Sequence, residues 1–215
     1  MNGICGQNSF GHIPCAKEAV PLKVTDQEAI ASLSKHCPSL VAANEENGLC
    51  CNSDQINDLT STTLLLFGNF IRRCPSCYVN YANLFCNLLC SPKQSDYVKV
   101  MKTATDEDTN QQIVSVIDYF VDQSTADNWY KSCQNVTKDG RRQLIHICHP
   151  WKVEQCSPKR ALQYLGSDLD HNGHFPYMVD FMLSSDDVVR FENQEFKPFK
   201  FEATTCDKSD QACGC

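Results

Sequence analysis

Apolar side chains in the middle of the chain recur every three or four positions. Between Pro75 and Cys90 the series Cys77, Tyr81, Leu84, Phe85 and Leu88 marks the buried face of a helix. Pro75 suits its first turn, where a missing N–H leaves nothing unpaired. Cys86 and Cys90 lie one turn apart and point to nearly the same side. Thr25-Asp26-Gln27-Glu28 reads as a capping box opening a helix to about His36, closed by Pro38. A further helix is expected from Asn52 or Ser53 toward Arg72. Another opens at Ser124-Thr125-Ala126-Asp127 and carries Trp129, Tyr130 and Cys133; a last one runs from Ser157-Pro158 through Tyr164 to Gly166. The strand patterns are short: Tyr97 to Met101, Pro176 to Leu183, and the alternation of Phe196, Phe199 and Phe201. These elements predict an α+β fold, one helix-rich domain over residues 1–215 with a small mixed β-sheet. The longest apolar stretch, Leu64 to Ile71, is interrupted by Gly68 and Asn69, far short of the ~18 residues that would cross a bilayer.

Composition adds a compartment. Fifteen of the 215 residues are cysteine, a load that belongs in an oxidising environment as a multiply disulfide-bonded framework. A chain of this length also buries a core of its own, so the bridges supplement packing and do not replace it. The odd cysteine count and the ending Cys213-Gly214-Cys215 lead to the expectation of a fragment of a longer protein, with a leader removed ahead of Met1. A net charge of −7 disfavours nucleic acid and anionic lipid surfaces as partners.

Candidate chemistry is sparse. Cys74-Pro75-Ser76-Cys77 has the spacing of a redox dithiol at a helix start, but an apolar helical run precedes it where a redox site has a buried strand, so structural bridging is the better reading. That single Cys-x-x-Cys does not supply four zinc ligands. Asp168-Leu-Asp170-His-Asn172-Gly173 opens like a calcium loop, yet its twelfth position is Val179 and Pro176 falls inside it, so a turn is expected. The histidines show no His-Glu-x-x-His pattern, and no Gly-x-Ser-x-Gly elbow occurs. The sequence predicts no enzyme, no catalytic residue, no cofactor and no metal. Asn135-Val136-Thr137 is a glycosylation sequon suited to the same compartment. These residues alone lead to a secreted, disulfide-stapled binding domain with an unnamed ligand.

A more specific pattern lies in Leu49-Cys50-Cys51 followed by Gln55, in Arg73-Cys74-Pro75-Ser76-Cys77, and in Asn83-Leu84-Phe85-Cys86 through Ser95. Tyr130-x-x-Cys133, the Cys148 and Cys156 pair, Tyr164 and Asn172-Gly173-x-x-Pro176 continue it. From Cys5 to Cys215 the chain closely resembles the N-terminal lumenal domain of the large Niemann–Pick type C membrane protein family, including its intestinal sterol-absorption relative. The resemblance implies the pairs Cys5–Cys15, Cys37–Cys86, Cys51–Cys90, Cys74–Cys213, Cys77–Cys133 and Cys148–Cys156. Cys50, Cys206 and Cys215 are left for partners outside the chain.

The resemblance also implies a deep apolar pocket for one cholesterol-like sterol, hydroxyl end inward, and its transfer from a small soluble Niemann–Pick type C sterol carrier toward the membrane. It places the domain on the lumenal side of the late endosome-lysosome membrane or on the surface of gut cells. By motif match Gln55 is the hydroxyl partner, one turn before Leu59. Phe85, Tyr119, Tyr130, Pro176, Tyr177 and Val179 line the pocket, and His146, Ile147, Tyr164, Leu165 and Gly173 form its mouth and the docking face for the carrier. On this reading Gln55→Ala weakens sterol binding with little change in stability. Two positions depart from the family: Pro14 stands where Asn often supplies a second hydroxyl partner, and His146 replaces an apolar mouth residue. The competing function is a receptor-like domain for a folate- or flavin-type vitamin, which expects stacked tryptophans; only Trp129 and Trp151 exist. A secreted hydrolase is the third reading.

Overall fold

A computed structural model of the chain describes residues 1–17, 20–138 and 140–204. The chain opens with a hairpin, β1 (Ile4–Asn8) and β2 (Gly11–Pro14). Helices α1 (Gln27–His36), α2 (Pro38–Asn47), α3 (Ser53–Asp58), α4 (Leu64–Ile71) and α5 (Pro75–Cys90) follow. Next come β3 (Val98–Thr105), β4 (Gln112–Asp122), α6 (Gln123–Cys133) and the short ribbon β5 (Thr137–Lys138) with β6 (Arg141–Arg142). Helix α7 (Pro158–Leu165) leads into β7 (Met178–Ser184), and β8 (Val189–Phe191) and β9 (Gln194–Phe196) close the described chain. The central sheet is three-stranded and mixed: β3 pairs antiparallel and β7 parallel with β4. The fold is α+β and rich in helix, as the sequence predicts.

The polar ends of the helices explain several shifts in boundary. Asp26, not Thr25, caps α1, because its extended backbone sets the carboxylate 2.8 Å from the Ala29 N–H. Pro38 ends α1 and at once begins α2, which the sequence reading missed. Asp122 caps α6 at 2.9 Å from the Thr125 N–H, so that helix starts ahead of Ser124. The strand expected at Tyr97–Met101 continues to Thr105, and the one expected from Pro176 begins only at Met178. Of the phenylalanine alternation only Phe196 is in a strand; Phe199 makes an isolated parallel bridge to Val121. The long strand β4, whose second half is buried on both faces, and the first hairpin were not anticipated.

The helix expected to run unbroken to Arg72 is interrupted by a wider π-turn over Leu59–Thr63. The sequence there is Leu-Thr-Ser-Thr-Thr. Thr60 Oγ1 donates to Ile56 O at 3.0 Å and Ser61 Oγ to Asn57 O at 2.6 Å. Such back-bonding takes carbonyls that the helical ladder would otherwise use, and π-turns of this kind recur at binding sites.

The core is formed where α5 lies between the other helices and the sheet. Leu84, Phe85, Cys86 and Leu88 of α5 are fully buried, as are Tyr119 and Phe120 of β4 and Trp129 of α6. Disulfides join Cys5–Cys15, Cys37–Cys86, Cys51–Cys90, Cys77–Cys133 and Cys148–Cys156, the same pairs the family resemblance implies. Three of them tie α5 to the junction of α1 and α2, to the loop before α3, and to α6. Cys213, Cys206 and Cys215 lie outside the described residues, so the Cys74–Cys213 pairing does too. Cys50 is buried as a thiol. Among the described residues no helix is long and apolar enough to cross a membrane.

Candidate functional site

Two adjoining chambers border α5, one against Tyr81 and Phe85 and the other against Leu89. The outer one holds about 340 Å³ and is lined by Phe67, Phe70, Tyr81 and Phe85 from α4 and α5, and by His146, Ile147, Tyr164 and Leu165 from the segment leading into and along α7. Its wall is aromatic: Phe67 meets Tyr81 edge-on at 5.3 Å, and Tyr81 meets Phe85 at 4.8 Å. At the rim His146 stacks on Phe70 at 4.4 Å. Tyr81 Oη donates to Thr63 O at 2.8 Å, a carbonyl that the π-turn presents. Burial pushes the Tyr81 phenol far above its ordinary pKa, so it stays neutral.

The inner chamber is small, about 40 Å³, and sits under the first hairpin, bounded by Ile4, Pro14, Gln55, Leu59, Pro176 and Tyr177 among others. Thr63 and Phe175 border both chambers. An outer space of this size falls at the lower end of small-ligand pockets, whereas the inner one has room for a few water-sized groups.

The polar groups of the inner chamber differ in how far they are occupied. Gln55 Oε1 accepts from Gly3 N at 2.9 Å and Asn52 N at 3.1 Å, and Nε2 donates to Met1 O at 3.3 Å. Its amide therefore completes the capping box of α3 and anchors the start of the hairpin. The His12 ring and the Asp58 carboxylate meet through Nδ1 and Oδ2 in a contact that remains open to solvent. Tyr177 Oη is buried with no hydrogen-bond partner among the described residues.

The residues named from sequence divide in three. Gln55, Leu59, Pro176 and Tyr177 border the inner chamber. Phe85, His146, Ile147, Tyr164 and Leu165 border the outer one. Tyr119, Tyr130, Val179 and Gly173 border neither. Tyr119 is a core residue of β4 whose Oη donates to Leu84 O at 3.1 Å. Val179 is buried in β7, with its carbonyl against Gly166. Tyr130 stands on α6 against Trp129. Gly173 is required for close backbone approach, since a Cβ there would fall 1.9 Å from Ser167 O. A pocket deep enough for a whole sterol around Gln55 and Pro176 was expected; the larger space lies instead at the residues assigned to the mouth.

Sequence reasoning also missed Thr63, Phe67, Phe70, Tyr81, His174 and Phe175. The first three, with Leu59, were available as a stripe at intervals of four, four and three. Phe175 gave no such signal, because it lies in an irregular segment after α7 and its place depends on packing against Phe85 at 5.9 Å.

Comparison with known proteins adds to this geometry. The chain is 26% identical over 218 residues to "NPC intracellular cholesterol transporter 1" of Sus scrofa, a match covering 99% of this chain and 16% of that protein. It is 26% identical over 226 residues to "NPC intracellular cholesterol transporter 1 homolog 1" of Caenorhabditis elegans, covering 97% and 16%. With "NPC1-like intracellular cholesterol transporter 1" of Mus musculus it shares 26% identity over 216 residues, covering 98% and 16%. The chain thus spans about a sixth of the length of these relatives. All of residues 1–215 match the family described as Niemann-Pick C1 N terminus, and the chain belongs to that family.

Proposed function

We propose that this chain binds one sterol, with its ring system in the outer chamber and its hydroxyl in the inner one. The observation that carries this reading is the pairing of two spaces across Thr63 and Phe175, one aromatic and roomy, the other small and bordered by the Gln55 amide and Tyr177 as well as apolar side chains. A rigid lipid with a single small polar end matches that division. Burying roughly 500 Å² of its surface is worth about 12 kcal/mol before association costs, so apolar contact supplies affinity and the polar end supplies orientation. Membership of a family whose relatives are named as cholesterol transporters supports the same reading.

The domain takes up sterol from a small soluble carrier and passes it toward the membrane, without chemistry on the ligand. It does so as a lumenal or extracellular part of a larger membrane protein. His146, Ile147, Tyr164 and Leu165 stand at the outer chamber, and Ile145 and Leu169 are exposed apolar residues close to them in sequence; together they form the docking face. Asn135 is exposed and open to glycosylation. A vitamin-binding role is disfavoured, since Trp129 is buried in α6 and the face of Trp151 is covered by Arg160. Mass spectrometry of lipid extracted from the purified domain, with equilibrium binding of tritiated cholesterol, tests the proposal. Co-purified sterol and saturable one-site binding are expected; absence of saturable binding would sink it.

A further inference from the structure

We propose that His171 and Asp168 form a proton-sensitive clamp on the loop that carries Phe175, so that acid steadies the partition between the two chambers and slows the passage of ligand. The slowed passage rests on the sterol reading above; the clamp itself does not. Asp168 caps a short 3-10 turn, Leu169–His171, between α7 and β7. Its Oδ1 accepts from the His171 backbone N–H at 3.2 Å and meets the ring Nδ1 at 2.6 Å. Its backbone carbonyl accepts from the Gly173 N–H at 2.7 Å. From this turn the tie reaches Phe175 in few steps. Gly173 lies so close to Ser167 that no side chain fits between them, and the Phe175 N–H donates to Ser167 O at 3.0 Å. Phe175 borders both chambers. His174, just before it, lies edge-on to Tyr164 at 6.5 Å and to Phe10 of the first hairpin at 5.3 Å. Loosening the cap therefore frees the residue that stands between the two spaces.

The charge at the cap depends on His171. A neutral ring can donate from Nδ1, but protonation sets a full positive charge against the carboxylate. The charged groups that face the ring are Asp168, Asp170 of the same turn and Asp180 of β7, and each favours its protonated form. The hydrogen bond to Asp168, and then the Asp168 charge, raise the His171 pKa above its ordinary value. Stability from the pair is therefore complete below the unfolded ring's value of about 6.5, and is lost as pH rises through the higher folded value. The ring is 60% exposed, so solvent screening holds the effect to that of one surface ion pair.

The test compares wild type with His171→Gln, which keeps a side-chain donor beside Asp168 and removes the titrating ring. His149 and His174 flank Tyr164 and are the same in both proteins, so the difference between the two reports on His171. Amide exchange over residues 169–175 is followed by mass spectrometry without ligand, at about pH 5.5 and about pH 8, on either side of the imidazole range. The data are corrected for the intrinsic effect of pH, and the dissociation of tritiated cholesterol is timed under the same conditions. Wild type is expected to be about 1.5- to fivefold better protected in acid, the range of one exposed ion pair, and to release cholesterol more slowly by a similar factor. His171→Gln shows neither difference. An equal pH effect in both proteins overturns the clamp. So does an equal loss of protection at both pH values in the variant, which marks a plain packing role. Protection that follows pH while cholesterol release does not overturns the link to Phe175. Failure of the wild-type protein to bind cholesterol overturns the sterol reading and the slowed passage with it, while amide exchange still decides the clamp.

Discussion

The rings of Phe85 and Phe175 pack 5.9 Å apart, centroid to centroid, and Phe175 also borders the inner chamber. One molecule that reaches both spaces must pass Phe175. Phe175→Ala is expected to destabilise the unliganded protein by about 3 kcal/mol, at the lower end for a buried phenylalanine because one side already faces a void. The same variant takes up labelled cholesterol faster than wild type. Denaturant midpoints and stopped-flow uptake check the two effects, and an unchanged uptake rate removes Phe175 from the path.

Gln55 carries a different consequence from the one its motif suggests. Its amide caps α3 and holds Gly3, so Gln55→Ala leaves backbone donors without a partner. A loss of about 1–3 kcal/mol in unfolding free energy is expected, which corrects the expectation of little change in stability. Chemical denaturation of the unliganded variant decides it; stability equal to wild type refutes the structural role.

Asp118 on β4 stands directly opposite Asp180 on β7, in the parallel register of the central sheet. Burial first, and then the Asp180 charge, push the Asp118 carboxyl above its ordinary pKa, while Lys99 opposes them. A raised folded-state pKa means that the neutral form favours folding. Stability from this source is complete below the unfolded carboxyl's pKa and is lost as pH rises through the folded one. Asp118→Asn should therefore stabilise the protein near neutrality by about 0.5–1 kcal/mol, with the gain vanishing on acidification. A gain that grew toward acid pH would contradict this.

Asn80 is fully buried on α5. Its Nδ2 donates to Thr204 O at 2.9 Å and to Ser132 Oγ at 3.0 Å, and its Oδ1 accepts from Thr204 N at 2.8 Å. It therefore fastens the end of the described chain to the helical core. Asn80→Ala is expected to cost about 2–3 kcal/mol and to raise amide exchange at Thr204 in particular, which hydrogen-exchange mass spectrometry reads directly.

Removing the bridge between α5 and α6 tests the covalent frame. Cys77 and Cys133 are 56 residues apart, and on the loop-entropy account replacing both by alanine costs about 4 kcal/mol. Thermal melting measures it; a loss under about 1 kcal/mol would mean that packing of Trp129 and its neighbours suffices without the bond.

Much of this protein was legible before any coordinates. Periodicity located α5, and the capping residues at their starts located α1, α6 and α7, because both kinds of signal lie within a few residues of the helix they mark. The cysteine count gave the disulfide framework, and the spacing of Cys74, Cys77, Cys86 and Cys90 with Gln55 gave the family. The strand β4 escaped because a strand buried on both faces has no alternation to read. The π-turn over Leu59–Thr63 escaped because hydroxyls competing for carbonyls leave no mark on periodicity.

The division of the cavity was a matter for tertiary structure alone. Whether Gln55 is free for a ligand depends on where the Gly3 and Met1 backbones settle, more than fifty residues away in sequence. Whether Tyr119 lines a pocket or fills a core depends on which face of β4 meets α5. Such choices are made by contacts between distant segments, where burial and hydrogen bonding are settled jointly, and no window of the sequence contains both partners.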